Sequence, residues 1–155
     1  MTSTSLCLAD AQVLIDGARY DFLEPLLATH TIGIASTAFV EVRYYRDDEG
    51  ATHPIDLTAA VDSGSLTVVS GTANEVQSLV ALGISTRLGA GEKESLALVM
   101  TRGMTFCTAD HLAVKTMRNL GVYERWIPLE DLLASLDPPV PVPEPKYLRA
   151  YFEWN

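Results

Sequence analysis

Short apolar runs recurring between longer stretches of helical period constrain this chain more than any other feature. Leu6-Cys7-Leu8-Ala9, Ile32-Gly33-Ile34-Ala35, Leu66-Thr67-Val68-Val69 and Met104-Thr105-Phe106-Cys107 are each four residues long and almost wholly apolar. Strands wetted on one face alternate polar with apolar residues, whereas unbroken runs of this length suit strands covered on both faces, as in a parallel sheet. Val122-Tyr123-Glu124-Arg125-Trp126 is a shorter candidate for a fifth strand.

The intervening segments carry helix signals. Thr72-Ala73-Asn74-Glu75 has capping-box spacing, and Val76, Leu79 and Val80 follow on one face. Gly91 precedes a helix expected from about Glu92 to Thr101, with Leu96, Val99 and Met100 on one side. Another is expected near Asp110, with Ala113, Val114, Met117 and Leu120 at helical spacing and Gly121 as its stop. Ser36 or Thr37 is expected to cap a helix running through Tyr45, and Pro54 to Asp62 suggests one more. Strands alternating with helices in this way predict an α/β fold, a three-layer sandwich around a central parallel sheet of four to five strands.

Residues 1–136 form the expected domain. Beyond it, Asp137 to Pro145 holds five prolines, which remove backbone donors and predict an extended linker. The linker leads to Tyr147, Tyr151, Phe152 and Trp154. Aromatics this dense seldom stay in water, so the tail is expected to pack on its own domain or to bury against a second chain. The charged stretch Arg46-Asp47-Asp48-Glu49-Gly50 reads as a solvated turn.

Twenty Asp and Glu stand against eleven Lys and Arg, a net charge of −9. That balance argues against a simple polyanion binder, whose affinity depends on a basic field. With 48% apolar residues the chain is not disordered, and with only Cys7 and Cys107 it is not a disulfide scaffold. Neither cysteine belongs to a CxxC or lies near a histidine pair, so thiol redox chemistry and structural zinc have little support. No apolar run approaches the roughly 20 residues that span a bilayer, and the first five residues lack the basic stretch of a signal peptide. A cytoplasmic domain without membrane contact is the expectation.

The position of the acids then matters more than their number. In an open parallel sheet, ligands bind beyond the carboxyl ends of the strands, where the strand order reverses. Asp10 directly follows the first apolar run and Asp110 comes three residues after the fourth. If those two strands are neighbours, both carboxylates enter one crevice. Glu41, on the helix expected after the second strand, and Glu92 and Glu94, opening the helix before the fourth, fall at the same end. Carboxylates gathered so closely stay ionised together only if cations compensate, and an all-oxygen set suits a hard divalent ion. Each acid also has a plainer role: an N-cap for Asp10 or Asp110, a surface helix residue for Glu41, a complement to the helix dipole for Glu92 and Glu94.

In these motifs the chain resembles the PIN-like family. Leu8-Ala9-Asp10-Ala11-Gln12-Val13-Leu14-Ile15 resembles the opening of PIN domains, and Ser36-Thr37-Ala38-Phe39-Val40-Glu41-Val42 their second acidic motif. Gly91-Glu92-Lys93-Glu94-Ser95-Leu96-Ala97-Leu98 resembles the Gly-Glu-x-Glu helix of a PIN-like branch described as nucleic-acid-binding. Cys107-Thr108-Ala109-Asp110 and the helix ending at Leu120-Gly121-Val122 are similar to the final motif. The four occur in the family's order between about residues 5 and 136.

The resemblance implies a ribonuclease that uses Mg²⁺ or Mn²⁺. Carried over by position, Asp10, Glu41 and Asp110 match three of the acids that hold the ion and serve catalysis. The fourth is Glu92 or Glu94, with the 18-residue separation from Asp110 leaning to Glu92. Thr108 matches a small hydroxyl near the site. Many small bacterial relatives are toxins neutralised by a small antitoxin protein, and many form homodimers. For the RNA substrate the cations to consider are Lys115, Arg118, Arg102, Arg43 and Arg46, with Thr108, Lys115 and Arg118 the expected nucleic-acid contacts.

Ala11 and Gln12 depart from the family, which commonly has Thr or Ser and then Asn or Ser there. His111 stands where many relatives carry Arg or Asp. The first departure keeps open a catalytically degenerate module that binds protein or RNA. Other α/β sites fit less well: no acid follows the third strand as in a receiver domain, Asp10-Ala11-Gln12 is not the Asp-x-Asp of a haloacid-dehalogenase phosphatase, and no GxGxxG follows the first strand.

Overall fold

A computed structural model describes residues 6–84 and 87–152. In chain order the elements are β1 (Cys7–Ala9), α1 (Ala11–Arg19), α2 (Leu23–Thr29), β2 (Ile32–Ala35), α3 (Ser36–Phe39), β3 (Tyr44–Arg46), β4 (Thr52–Pro54), α4 (Thr58–Asp62), β5 (Leu66–Val69), α5 (Ala73–Val80), α6 (Ala90–Arg102), β6 (Thr105–Cys107), α7 (His111–Asn119) and α8 (Leu129–Ala134). The four apolar runs become four parallel strands in the order β5-β2-β1-β6. Cys7 lies opposite both Ile32 and Thr105, and Ile32 opposite Leu66. Helices flank this sheet, an arrangement compatible with a three-layer sandwich.

The strand order explains the apolar runs. β1 and β2 are the central strands, and every residue of both is buried. Leu8, Ile34 and Phe106 from the sheet meet Leu14, Leu96, Leu98 and Val114 from the helices in one core, all at 0% exposure. The capping box forms as its spacing predicts: the Thr72 hydroxyl accepts from the Glu75 N–H, and the Glu75 carboxylate accepts from the Thr72 N–H at 2.9 Å. Gly121 does end α7, with a φ of +77° that a residue bearing a Cβ adopts only under strain. Among the described residues no helix is long and apolar enough to cross a membrane.

Three sequence expectations need correction. The expected fifth strand is a 3-10 turn at Tyr123–Arg125 followed by a single parallel bridge from Trp126 to Phe106, and Pro128 then offers no N–H to extend the pairing. The helix expected through Tyr45 stops at Phe39. Tyr44–Arg46 instead pairs antiparallel with Thr52–Pro54, where β-favouring aromatic residues override the helical period. Asp47 closes that hairpin, its Oδ1 accepting from the N–H groups of Glu49 and Ala51, both at 2.9 Å, so the charged stretch is a hairpin turn. The helix expected from Pro54 is correspondingly short and begins at Thr58.

The tail packs on its own domain. Residues 137–144 carry no regular secondary structure, and 3-10 turns follow at Pro145–Tyr147 and Arg149–Phe152. Tyr147 and Phe152 are each 1% exposed, whereas Tyr151 is largely in solvent. The Phe152 ring stacks on His111 and meets Trp126 edge-on. Trp154 lies outside the described residues.

Candidate active site

The order β5-β2-β1-β6 reverses direction between β1 and β6, so the two strand ends carrying Asp10 and Asp110 are adjacent. Pairing continues past the strands, with the Asp10 N–H donating to the Cys107 carbonyl at 2.9 Å. Asp10 occupies the N-cap position of α1, yet its side chain caps nothing. Its Oδ2 instead accepts from the Thr108 hydroxyl at 2.9 Å, and that hydroxyl accepts from the Asp110 N–H at 3.1 Å. Thr108, itself 2% exposed, thereby braces one aspartate against the other's backbone. Trp126 secures Thr108 in turn by donating from Nε1 to its carbonyl at 3.0 Å. Asp110 does cap its helix, accepting from the Ala113 N–H at 2.9 Å through one oxygen.

A cleft of about 490 Å³ opens above these two residues. Asp10, Asp110, Glu41 and Glu92 line it, together with Lys146 and Tyr147 from the tail. Glu41 enters from the turn after α3 and is exposed; it is not on a helix, because α3 ends two residues earlier. Glu92 enters from the first turn of α6, beside Gly89, where an added Cβ would lie 2.6 Å from the Glu92 carboxylate. Burial is the main cause that pushes the Asp10 carboxyl up to about 6; the Thr108 bond opposes the shift, while the charges of Glu92 and Asp110 add to it. Negative potential therefore concentrates at the mouth of β1.

Glu94 is elsewhere. Two residues along α6 from Glu92, it is 6% exposed and faces away from the cleft, as a 200° rotation requires. Its carboxylate accepts from the N–H groups of Thr37 (2.8 Å) and Gly71 (2.9 Å) and from the hydroxyls of Ser36 and Thr37. Burial, the largest influence, acts to raise its pKa, but these bonds outweigh it and hold the group below the ordinary carboxylate range. Glu94 joins α6 to the start of α3 and the end of β5.

Among the cations, Lys115 borders a separate hollow between α7 and the segment Leu82 to Ile84, and Arg118 lies over the Tyr123 ring at 4.8 Å. Neither lines the acidic cleft, which sits at the N-terminal end of α7. Arg102 pairs with Glu75 at 2.7 Å. Among the described residues that line the cleft, Lys146 is the cation, and no motif in the sequence singles it out. It approaches Asp16 at 3.4 Å and Glu144 at 3.8 Å, while the buried Tyr147 hydroxyl donates to the same Asp16 across 131 residues. No local pattern announces contacts of that separation; the aromatic density around Lys146 was the only signal.

The donor chemistry is uniformly carboxylate oxygen, which suits Mg²⁺ or Mn²⁺ better than softer metals. Among the described residues no three Asp, Glu, His or Cys side chains already stand close enough to hold an ion at once. The geometry therefore fits an ion held by one or two carboxylates and otherwise by water, as Mg²⁺ commonly is, and not a closed protein cage. The thiols have no part in this: burial pushes Cys7 up to about 11, and the fully buried Cys107 is also raised. No protein-family model matches the chain, and no curated protein matches it.

Proposed function

We propose that the chain is a PIN-like, Mg²⁺- or Mn²⁺-dependent ribonuclease. The observation that carries this reading is the convergence of Asp10, Asp110, Glu41 and Glu92 on one cleft at the reversal in strand order, with Asp10 half-buried and making no side-chain cap bond to its helix. Asp10 and Asp110 would hold the ion, with Glu92 and Glu41 reached through water. When bound, the metal supplies a more acidic water and positive charge for the phosphate oxygens. Thr108 keeps Asp10 and Asp110 in register, Tyr147 packs the cleft wall, and Glu41, the most exposed of the four acids, is placed to accept a proton from an incoming water. Lys146 adds a cation at the rim that can meet a phosphate.

The test is cleavage of a labelled RNA in Mn²⁺ by the wild type and by Asp10→Asn and Asp110→Asn. Loss of cleavage in both, with folding intact, is expected; wild-type rates in both would overturn the reading. A toxin role with a small antitoxin partner extends it, expected to appear as growth arrest on expression that Asp10→Asn relieves.

A second reading is favoured by two observations: no three ligands are pre-assembled among the described residues, and Lys146 already borders the acids. A degenerate PIN-like module binding RNA or protein would have this appearance, and Ala11 and Gln12 suit it. Mn²⁺ separates the two, since an ion that binds only the folded chain raises its melting temperature. The catalytic reading expects that rise in the wild type and its loss in Asp10→Asn.

A further inference from the structure

The acidic cleft continues into a second groove of about 490 Å³ that shares Gln12, Ile15 and Glu41 with it. The far side is of opposite character, lined by Arg19, Arg43, Arg46, Tyr44 and Tyr45. Three of the eleven Lys and Arg of a chain with net charge −9 thus face one groove. Strand β3 and Arg43 just before it form one wall and α1 the other, the β3–β4 hairpin packing against α1 apart from the main sheet.

The hairpin's geometry separates its two tyrosines. Tyr45 stacks on His53 at 4.9 Å with the rings 16° from parallel, so one face of it is covered. Tyr44 and Arg46, two residues apart on a strand, share the other side, and Tyr44 is 47% exposed. Arg43 donates from Nε to the Val40 carbonyl at 3.0 Å, and Arg19 donates to Asp48 at 2.8 Å. Each guanidinium has five N–H donors, so these anchors restrain the side chains and leave donors for a ligand. Of the acids on this wall, Asp16 is already met by Lys146 and Tyr147.

We propose that this groove binds single-stranded RNA flanking the phosphate held in the acidic cleft, with Arg43 and Arg46 on backbone phosphates and Tyr44 beneath a base. The inference rests on the ribonuclease reading and adds the strand's path to it. A strand entering four carboxylates needs local attraction beside them, and an exposed aromatic between arginines matches the alternation of phosphate and base. An acidic peptide would use the arginines but not the face of Tyr44.

The experiment measures anisotropy of a fluorescein-labelled 12-nucleotide oligouridylate with the full chain in EDTA, across a salt series. Arg43→Ala/Arg46→Ala is expected to weaken binding at least about 10-fold and to reduce the salt slope by about 1.4, at roughly 0.7 per phosphate contact on a single strand. Tyr44→Ala is expected to weaken binding about 10-fold with the salt slope unchanged. Arg46→Glu, at an exposed position, provides a second variant, and melting curves check each fold. The proposal is overturned if the wild type does not bind, if these variants bind as the wild type does, if Lys115→Ala/Arg118→Ala causes the loss instead, or if a polyglutamate peptide of equal charge binds as tightly. Groove variants that bind normally beside intact Mn²⁺-dependent cleavage would remove the groove and leave the nuclease. RNA binding through the groove without any cleavage would support the groove and remove the nuclease.

Discussion

Asp10 shows how one residue carries both a cost and a use. An aspartate after a strand ordinarily caps the next helix, and Asp110 does so; Asp10 makes no such bond and is left with the Thr108 hydroxyl as its side-chain donor. Its carboxyl rises from the ordinary 3.8 to about 6, first through burial, with Glu92 and Asp110 adding to the shift. The sign follows from proton linkage: between those two values the folded chain keeps a proton that the unfolded chain has lost. Stability from this group is therefore fullest below about pH 4, falls as pH rises towards about 6, and levels above it. The loss is on the order of 3 kcal/mol. Asp10→Asn should flatten that slope and melt higher than the wild type at pH 7.5 without metal, while the two converge near pH 4. Equal melting temperatures at both pH values would show that Asp10 is not strained by its surroundings.

At the scale of an element, α6 assigns opposite tasks to two glutamates two residues apart. The cleft side takes Glu92; the packed side takes Glu94, whose carboxylate gathers donors from α3 and from Gly71 after β5. The contact is close because Gly91 lets the helix approach Ala38: a Cβ at residue 91 would lie 3.0 Å from the Ala38 Cβ and 3.1 Å from its Cα. Charge-assisted bonds are the stronger kind, and removing their acceptor strands buried donors. Glu94→Ala should cost about 3 kcal/mol in denaturant unfolding, whereas Glu92→Gln should change stability by less than about 0.5 kcal/mol and instead weaken the Mn²⁺-induced rise in melting temperature. The reverse pattern would exchange the roles of the two residues.

For the molecule as a whole, the tail completes the site. Tyr147 and Lys146 form part of the cleft wall, and Phe152 closes over His111 and Trp126, whose indole holds Thr108. A short chain of contacts thus joins the last aromatic cluster to Asp10. Phe152→Ala should cost roughly 3 kcal/mol through lost burial and the cavity left behind, and should lower Mn²⁺ affinity through a loosened Thr108. Stability loss without any change in Mn²⁺ affinity would confine the tail to packing. Tyr147 stays protonated throughout the working range, because burial and donation to Asp16 both raise its pKa, so its bond to Asp16 persists across neutral pH.

Much of this architecture was legible because it depends on neighbours in the chain. Four apolar runs marked the four strands of the parallel sheet, Thr72 and Glu75 marked a helix start, and Gly121 marked a stop; each signal acts within a few residues. The placement of Asp10 directly after one strand, and of Asp110 three residues after another, was legible for the same reason. The hairpin was not, because Tyr44 to Arg46 and Thr52 to Pro54 are too short to override a helical period until they pair. Nor did spacing settle Glu92 against Glu94, since helical period shows that two residues face different ways but not which side the core will take. Asp16 meeting Tyr147, and Trp126 holding Thr108, arise from folding alone. Local propensity acts along the backbone, whereas the potential felt by a carboxylate depends on whichever distant groups close packing brings within a few ångströms.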